Sequence, residues 1–325
     1  MSTEDQILQI LQKTGDSKLS ELVEQTGSSR QMVYRAIKAL IEKGKVTKLG
    51  TAPRTFYKLR EAPLQPVTHS LSLNEQLFLQ EHFLLVTETG ERLMGFEALA
   101  NWCVRQKLPA EKTAKEFIIA RKKYLEYFLP NGLINGNAKI QSTKGFTKIG
   151  LDDIYYLDFY AIERFGKTRL GTLLHLAKQG QNRKLMDEII ELTKERIERL
   201  VLELKVDAVA YIPPTIKREV QFMKVLERKL NVALPHVKLV KVTGEITIPQ
   251  KALSKIEDRI SNARVSIMVN ENRVFNGVLL IDDAVGSGST LNETALKLKE
   301  KKLAKKVIGL AITGNFKGFD VIQEV

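Results

Sequence analysis

The stretch that most constrains the fold lies at residues 277–291 and reads GVLLIDDAVGSGSTL. Its four consecutive apolar residues, 278–281, predict a strand that is buried on both faces. Two carboxylates, Asp282 and Asp283, follow this strand, and a loop of small residues leads directly into a helical pattern over residues 291–303. This order favours phosphate binding, because glycines let backbone N–H groups face an anion and a helix N-terminus adds a positive field.

The same stretch has a simpler interpretation, which is an ordinary strand-to-helix connection in which a Ser or Thr caps the helix. The acidic pair favours a ligand instead, because two carboxylates repel a nearby phosphate unless a cationic or hydroxyl-bearing group lies between them. A ribose diol, with Mg²⁺ nearby, is such a group. Asp282 and Asp283 are therefore predicted to contact a ribose and, directly or indirectly, Mg²⁺.

At these residues the chain resembles the phosphoribosyl-pyrophosphate (PRPP) loop of type I phosphoribosyltransferases. The resemblance implies that Asp282 and Asp283 are the catalytic pair that holds the ribose hydroxyls. It also implies that the following loop binds the 5′-phosphate through Gly286, Ser287, Gly288, Ser289 and Thr290. The loop of the family usually reads Thr-Thr-Gly-x-Thr, so Gly286 replaces the first hydroxyl residue and one side-chain donor is lost.

A second stretch that carries the resemblance begins at residues 206–212, which predict a buried strand. In the family, the loop after this strand lines the pyrophosphate, which implicates Thr215, Lys217 and Arg218 in this chain. Arginine suits this role because its guanidinium makes bidentate contacts with phosphate. The alternative is a solvated basic pair at the start of a helix.

The polar segment at residues 243–273 corresponds to a mobile loop that closes over the reacting centre in the family. Lys251 and Arg259 are the candidate charges of such a lid, and a surface helix with solvated charges is the alternative. The spacing of polar and apolar residues in this segment resembles that of the ComF subgroup of phosphoribosyltransferases, which is linked to competence and DNA uptake. The residues that carry this resemblance are Thr247, Gln250, Leu253, Arg259 and Asn262.

The resemblance covers about residues 154–315, half of the chain. ComF-type proteins commonly begin with a four-cysteine zinc module, whereas this chain has a single cysteine, Cys103. A different N-terminal domain therefore stands where that module would be, and the function of the family does not transfer whole.

Residues 1–60 predict three helices followed by a β-hairpin. In the third helix, at residues 29–43, apolar side chains recur at the spacing of one helix face; they are Val33, Ala36, Ile37, Leu40 and Ile41. Two strands, at residues 45–49 and 55–59, flank a glycine- and proline-containing turn. This part resembles a winged helix-turn-helix of the bacterial regulator type.

The winged helix-turn-helix resemblance implies that the third helix enters the major groove of DNA. The polar face of that helix carries Arg30, Gln31, Tyr34, Arg35 and Lys38, and the wing carries Lys48 and Arg54. We expect the helix residues to reach base edges and the wing residues to reach phosphates. The alternative is a protein–protein module with a solvated basic face.

The charge of the chain fits a polyanionic partner. The formal net charge is +13, and an excess of this size suits either nucleic acid or PRPP. The chain contains no apolar run of the roughly 18–20 residues that a membrane span needs, and its polar N-terminus does not read as a signal peptide. We therefore expect a cytoplasmic protein without a membrane partner.

These patterns predict four parts, at residues 1–60, 61–75, 76–150 and 151–325. They are a winged helix-turn-helix, a linker, a mainly helical connecting region of unknown role, and an α/β domain whose parallel sheet is flanked by helices. The predicted function is a DNA-binding protein that responds to PRPP or to a ribose 5-phosphate nucleotide, as a regulator or a competence factor. The alternative is an active Mg²⁺-dependent phosphoribosyltransferase that transfers ribose 5-phosphate to a nucleobase. A homodimer is expected because winged helices often act in pairs.

Overall fold

The computed structural model describes residues 2–51, 54–60, 70–88, 90–216, 218–242, 253 and 255–315. The N-terminal part contains three helices, α1 (Thr3–Thr14), α2 (Leu19–Thr26) and α3 (Arg30–Glu42). It also contains an antiparallel sheet in the order β1–β3–β2, formed by β1 (Asp16–Ser17), β2 (Val46–Thr51) and β3 (Arg54–Leu59). The three helices and the β2–β3 hairpin that the sequence predicted are therefore confirmed.

The helices of the N-terminal part enclose a small core of their own. The predicted inward face of α3 supplies Val33, Ile37 and Leu40 to this core, where they meet Ile7 of α1 and Leu22 of α2. The helix begins where expected, because the side chain of the preceding serine accepts a hydrogen bond from the backbone N–H three residues later.

One residue of the predicted inward face is placed differently. Ile41 is 38% exposed, because it lies at the edge of the apolar stripe in the last turn of α3.

The middle of the chain forms helices and short strands that pack onto the rest of the molecule. Its elements are α4 (Leu73–His82), β4 (Leu84–Val86), β5 (Arg92–Met94), α5 (Gly95–Gln106), α6 (Ala110–Leu125), β6 (Ile134–Asn135) and α7 (Asn137–Ser142). The ring of Phe117 packs edge-on against those of Phe83 and Phe165, at centroid distances of 5.0 and 5.4 Å. Since Phe165 follows the first strand of the α/β part, this region shares one hydrophobic core with it.

The remaining elements form an α/β arrangement. They are β7 (Asp153–Phe159), α8 (Arg169–Gln179), α9 (Arg183–Leu204), β8 (Ala208–Tyr211), α10 (Phe222–Leu230), β9 (Leu239–Lys241), α11 (Ile256–Ser266), β10 (Ile267–Val269), β11 (Phe275–Val285), α12 (Ser289–Glu300) and β12 (Ala304–Gly314). The main sheet has the order β6–β7–β12–β11–β8. Its strands β7, β12, β11 and β8 are parallel, and β6 joins antiparallel at the edge. A sheet of mostly parallel strands is thus confirmed.

Both faces of the sheet are covered, which explains the continuous apolar run at its centre. In β11, Val278 and Leu280 point into one core together with Leu291 of α12, whereas Leu279 and Ile281 point into the other. Helices α8, α9 and α10 cover this second face. An alternating pattern of polar residues would expose one face to water, so the four apolar residues in sequence are what this position requires.

The connections of the sheet reverse direction between β8 and β11. After β8, the chain passes through α10 and returns on the outer side of β8, where His236 forms a parallel bridge with Val209. After β11, it passes through α12 and returns as β12 on the opposite side. In parallel α/β sheets, such a reversal leaves a crevice at the carboxyl ends of the two strands, and ligands bind there.

The segment between β8 and β11 differs in part from the predicted layout. The strand expected over residues 237–242 is observed as β9, which pairs with β10 in a separate antiparallel sheet rather than in the main one. The polar segment at residues 243–273 contains a helix, α11, as the alternative interpretation proposed. The first part of the predicted lid, residues 243–252, lies outside the described residues.

Candidate functional site

A cavity of about 210 Å³ lies at the carboxyl ends of β8 and β11. It brings together Thr215 and Arg218 from the loop after β8, Asp282 and Asp283 from the last four residues of β11, and Thr290 from the first turn of α12. The sequence predicted that these residues share one site, and they do so because parallel strands deliver their following loops to the same edge of the sheet.

Strand β11 was predicted to end before the acidic pair, but it continues through the pair to Val285. Residues 286–289 of the predicted phosphate loop do not line the cavity.

The acidic pair faces cations from two directions. The Lys178 Nζ atom lies 2.6 Å from Asp283 Oδ2, and the backbone N–H of Asp283 donates to Asp282 Oδ1 at 2.8 Å. Burial is the main cause that raises the pKa of the Asp282 carboxyl well above its usual range, and repulsion from the neighbouring Asp283 charge is the second. Burial lowers the pKa of Lys241, and the Asp282 charge opposes this shift. Lys178 and Lys241 therefore reduce the electrostatic cost of the acidic pair, but at Asp282 burial and the repulsion from Asp283 outweigh them.

The loop between β11 and α12 has the backbone geometry that the sequence indicated. Gly288 precedes α12 with φ of +80°, a left-handed conformation that favours glycine. Ser287 and Ser289 are buried, and their hydroxyl oxygens lie 2.8 Å apart in a mutual hydrogen bond. The backbone N–H of Ser289 donates to Ser287 Oγ at 3.3 Å. The next N–H groups in the first turn of α12 have no partner within the helix, which makes them donors for an anion at this position. Gly286 lies in the same loop and is partly exposed.

The predicted pyrophosphate loop is held against α8. The Arg218 guanidinium donates from Nη1 to the Lys178 carbonyl at 2.5 Å and from Nη2 to Gln179 Oε1 at 3.2 Å. These contacts place Arg218 at the cavity wall and connect it to the segment that carries Lys178. The third predicted residue of this loop, Lys217, lies outside the described residues.

Three cavity residues carry chemistry that sequence reasoning did not assign, namely Tyr160, His175 and Lys178. The Tyr160 hydroxyl lies 3.4 Å from His175 Nδ1, and burial followed by the Asp283 charge raises the pKa of that hydroxyl. Tyr160 follows β7, and the other two lie on α8. The available signal was the spacing from Tyr160 to Lys178 and Gly180, which also resembles the ComF subgroup but assigns no role to these residues.

Arg259, one of the two predicted lid charges, does not line this cavity. Arg259 lies in α11 and is buried, and its Nε donates to the Leu253 carbonyl at 2.6 Å, which directs the guanidinium along its own segment. Lys251 lies outside the described residues.

A second candidate surface lies on the N-terminal part. The five predicted helix residues, Arg30, Gln31, Tyr34, Arg35 and Lys38, are all exposed, as are Lys48 and Arg54 on the hairpin. Tyr34, an aromatic residue, is 57% exposed in the middle of this face, and Lys38 pairs with Glu42 at 3.9 Å. An exposed face with three basic residues and an unburied tyrosine is typical of a helix that meets a polyanion.

Comparison with known proteins identifies the N-terminal part. A family described as winged helix-turn-helix DNA-binding matches residues 3–47, from α1 into the start of β2. The N-terminal part is therefore a winged helix-turn-helix of the DNA-binding kind, as the sequence predicted. A comparison with curated proteins gives no match to the chain.

Two further observations concern the described residues. None of the helices there has the length and apolar character that crossing a membrane requires. The same residues contain no group of three or more His, Cys, Asp or Glu side chains placed to hold a metal ion.

Proposed function

We propose that the protein is a DNA-binding regulator whose α/β part binds a sugar phosphate of the PRPP class as its effector. The observation that carries this proposal is the position of Asp282 and Asp283, which line a cavity at the switch point of the sheet together with Thr290 in the first turn of α12. The resemblance to the ComF-like phosphoribosyltransferases motivates the choice of ligand. The winged helix-turn-helix is the part that binds DNA and whose DNA affinity the ligand would change.

The chemistry of the cavity suits the two ends of such a ligand. Carboxylates accept hydrogen bonds, so Asp282 and Asp283 can receive the hydroxyl protons of a ribose diol. Thr290 and the backbone N–H groups at the start of α12 supply donors for a 5′-phosphate, and the helix dipole adds a positive potential. Arg218, which also lines the cavity, suits a second phosphate group.

An effector role is favoured over a catalytic one by the loop itself. Gly286 has no hydroxyl where the transferase loop carries one, so the chain has fewer side-chain donors for the phosphate. Binding tolerates this loss better than catalysis does, because catalysis needs contacts that are strongest in the transition state.

The ligand half of the proposal is tested by calorimetry with PRPP and with ribose 5-phosphate. We expect binding by the wild-type protein and loss of binding in Asp282→Asn/Asp283→Asn. Asp187→Asn is a matched control, because Asp187 pairs with Lys229 at 2.9 Å on a different surface. Unchanged binding in the double variant would contradict the proposal.

The regulatory half is tested by fluorescence anisotropy, with a duplex selected by the wild-type protein from a random-sequence pool. We expect PRPP to change the DNA affinity without release of pyrophosphate. Pyrophosphate release that depends on Asp282 and Asp283 would instead establish a phosphoribosyltransferase.

The DNA surface is tested by Arg35→Ala, with Lys13→Ala as a charge-matched control on the exposed side of α1. A base contact by Arg35 predicts a loss of about 1–3 kcal/mol in binding free energy. Equal DNA affinity of the two variants would exclude the predicted role of this face of α3.

A further inference from the structure

The ion pair between Lys178 and Asp283 differs from the surface ion pairs of this protein. The Nζ–Oδ2 distance is 2.6 Å, and the two side chains are only 25% and 19% exposed. Other pairs, such as Lys229 with Asp187 at 39% and 41%, are more exposed. A pair that has lost most of its hydration is more strongly coupled than a surface pair, since solvent screens it less.

The backbone that carries Lys178 is held in place. Lys178 lies in the last turn of α8, and its carbonyl accepts the 2.5 Å hydrogen bond from Arg218. A second lysine, Lys241, interacts electrostatically with Asp282 and donates to Ser266 Oγ at 2.6 Å. Each carboxylate of the acidic pair is thus influenced by an ammonium group that belongs to the chain.

We propose that Lys178 is the built-in counter-cation of the acidic pair and takes the place of a divalent metal ion there, so that the site binds its sugar phosphate without Mg²⁺. The geometry does not fit a resident Mg²⁺ ion, because Mg²⁺ requires an octahedral set of oxygens at about 2.0–2.1 Å. An ammonium group already contacts Asp283, and a divalent cation would have to displace it or bear its repulsion.

The exchange of a metal ion for a lysine has a consequence for the ligand. An ammonium group has three N–H donors, and contact with Asp283 uses one of them. Lys178 lines the same cavity as Thr215 and Arg218, so its other donors can face phosphate oxygens while the carboxylates accept the ribose hydroxyls. The flexible lysine stem lets the ammonium group shift when a diol enters, without leaving the site.

The first test requires no sugar phosphate and is therefore independent of the proposed function. Mn²⁺ takes the same oxygen ligands as Mg²⁺ and is detected by electron paramagnetic resonance. We expect no Mn²⁺ site at the acidic pair of the wild-type protein, a new site in Lys178→Met, and loss of that site in Lys178→Met/Asp283→Asn. Lys178→Arg keeps the positive charge and should exclude Mn²⁺ as the wild type does.

Lys229→Met is the matched control, because it breaks an ion pair of similar distance away from the cavity. Thermal unfolding of each variant establishes that it is folded. A wild-type Mn²⁺ site that Asp283→Asn removes would overturn the inference, and so would a Lys178→Met protein that gains no site.

The second test rests on the proposed function and uses ribose 5-phosphate, which chelates metal less than PRPP does. We expect the wild-type affinity to be equal in EDTA and in Mg²⁺. Lys178→Met should bind roughly 10- to 100-fold more weakly in EDTA, the loss expected for a hydrogen bond to a charged group, and Mg²⁺ should restore its affinity.

The two tests separate the failure of this inference from that of the proposed function. If ribose 5-phosphate binds under neither condition, the ligand class is wrong, and the Mn²⁺ measurement still decides the role of Lys178. If the wild-type protein binds ribose 5-phosphate only with Mg²⁺, the role of Lys178 is wrong while the ligand class stands.

Discussion

Gly288 is the residue at which a single methyl group tests the geometry of the candidate site. It precedes α12 with φ of +80° and ψ of 0°, and a Cβ atom at this position would overlap Ile140 Cδ1 of α7. An alanine at position 288 would therefore destabilise the folded state in two ways. Its backbone would be strained in the left-handed conformation, and its Cβ atom would overlap the side chain of Ile140.

The two effects have different sizes and can be separated. A left-handed backbone costs a non-glycine residue about 1–2 kcal/mol, and an extra methyl group in a packed core costs about 1–3 kcal/mol more. We therefore expect Gly288→Ala to lower the free energy of unfolding by about 2–5 kcal/mol. Gly132→Ala is the control for the backbone strain, since Gly132 has φ of +76° and its Cβ would lie 3.3 Å from Arg196 Cδ.

The assay is urea unfolding followed by tryptophan fluorescence. Trp102 is the single tryptophan of the chain, and it packs against Phe165 in the core that is shared with the sheet. Its signal therefore reports the unfolding of the part that contains Gly288, and not that of the winged helix.

A double-mutant cycle with Ile140→Val isolates the overlap, because this change removes the Cδ1 atom. Alone it should cost about 0.5–1.5 kcal/mol, and in the Gly288→Ala background it should restore stability. Equal destabilisation by Gly288→Ala and Gly132→Ala, or a cycle without coupling, would refute the packing of α7 against the loop.

Three further predictions concern other parts of the molecule. The Arg121 guanidinium donates two hydrogen bonds to the buried Asp158 carboxylate, at 3.0 and 3.1 Å. Arg121→Met leaves that carboxylate unpaired, so urea unfolding should show the free energy of unfolding falling by about 3–5 kcal/mol. Adding Asp158→Leu should recover much of this loss, because no buried charge then remains. Burial is the main cause that lowers the pKa of His82, and the Arg121 charge is the second. The unfolded chain therefore binds the proton more readily than the folded one, so the melting temperature should fall as the pH drops below about 6.5. The melting temperature of His82→Gln should depend less on pH in this range. Gly50→Ala, at φ of +74°, would push a Cβ atom into the Arg54 carbonyl at the wing, so DNA affinity should fall while the Trp102 transition is unchanged.

Much of the local structure could be predicted from the sequence because it depends on short-range spacing. The apolar period of α3 and the buried run of β11 follow from which side chains must avoid water. The approach of Asp282, Asp283, Thr215 and Arg218 could also be predicted, since loops after parallel strands meet at one edge.

Other features depended on contacts that no local pattern encodes. The sequence did not predict that β7 joins the sheet beside β12, or that β6 pairs with it from the connecting region. Strand order depends on how distant segments compete for the same edge, so periodicity within one segment carries no information about it.

The sequence by itself determined that this chain has a DNA-binding winged helix and an acidic pair at the end of a buried strand. Only the tertiary structure decided which cation balances that pair. Lys178 reads as one more charged residue near the end of an amphipathic helix, and it meets Asp283 because α8 packs across the face of the sheet with its last turn at the carboxyl end of β11. Spacing along a chain specifies which face of an element is buried, whereas the meeting of two distant charges is specified by how the elements pack.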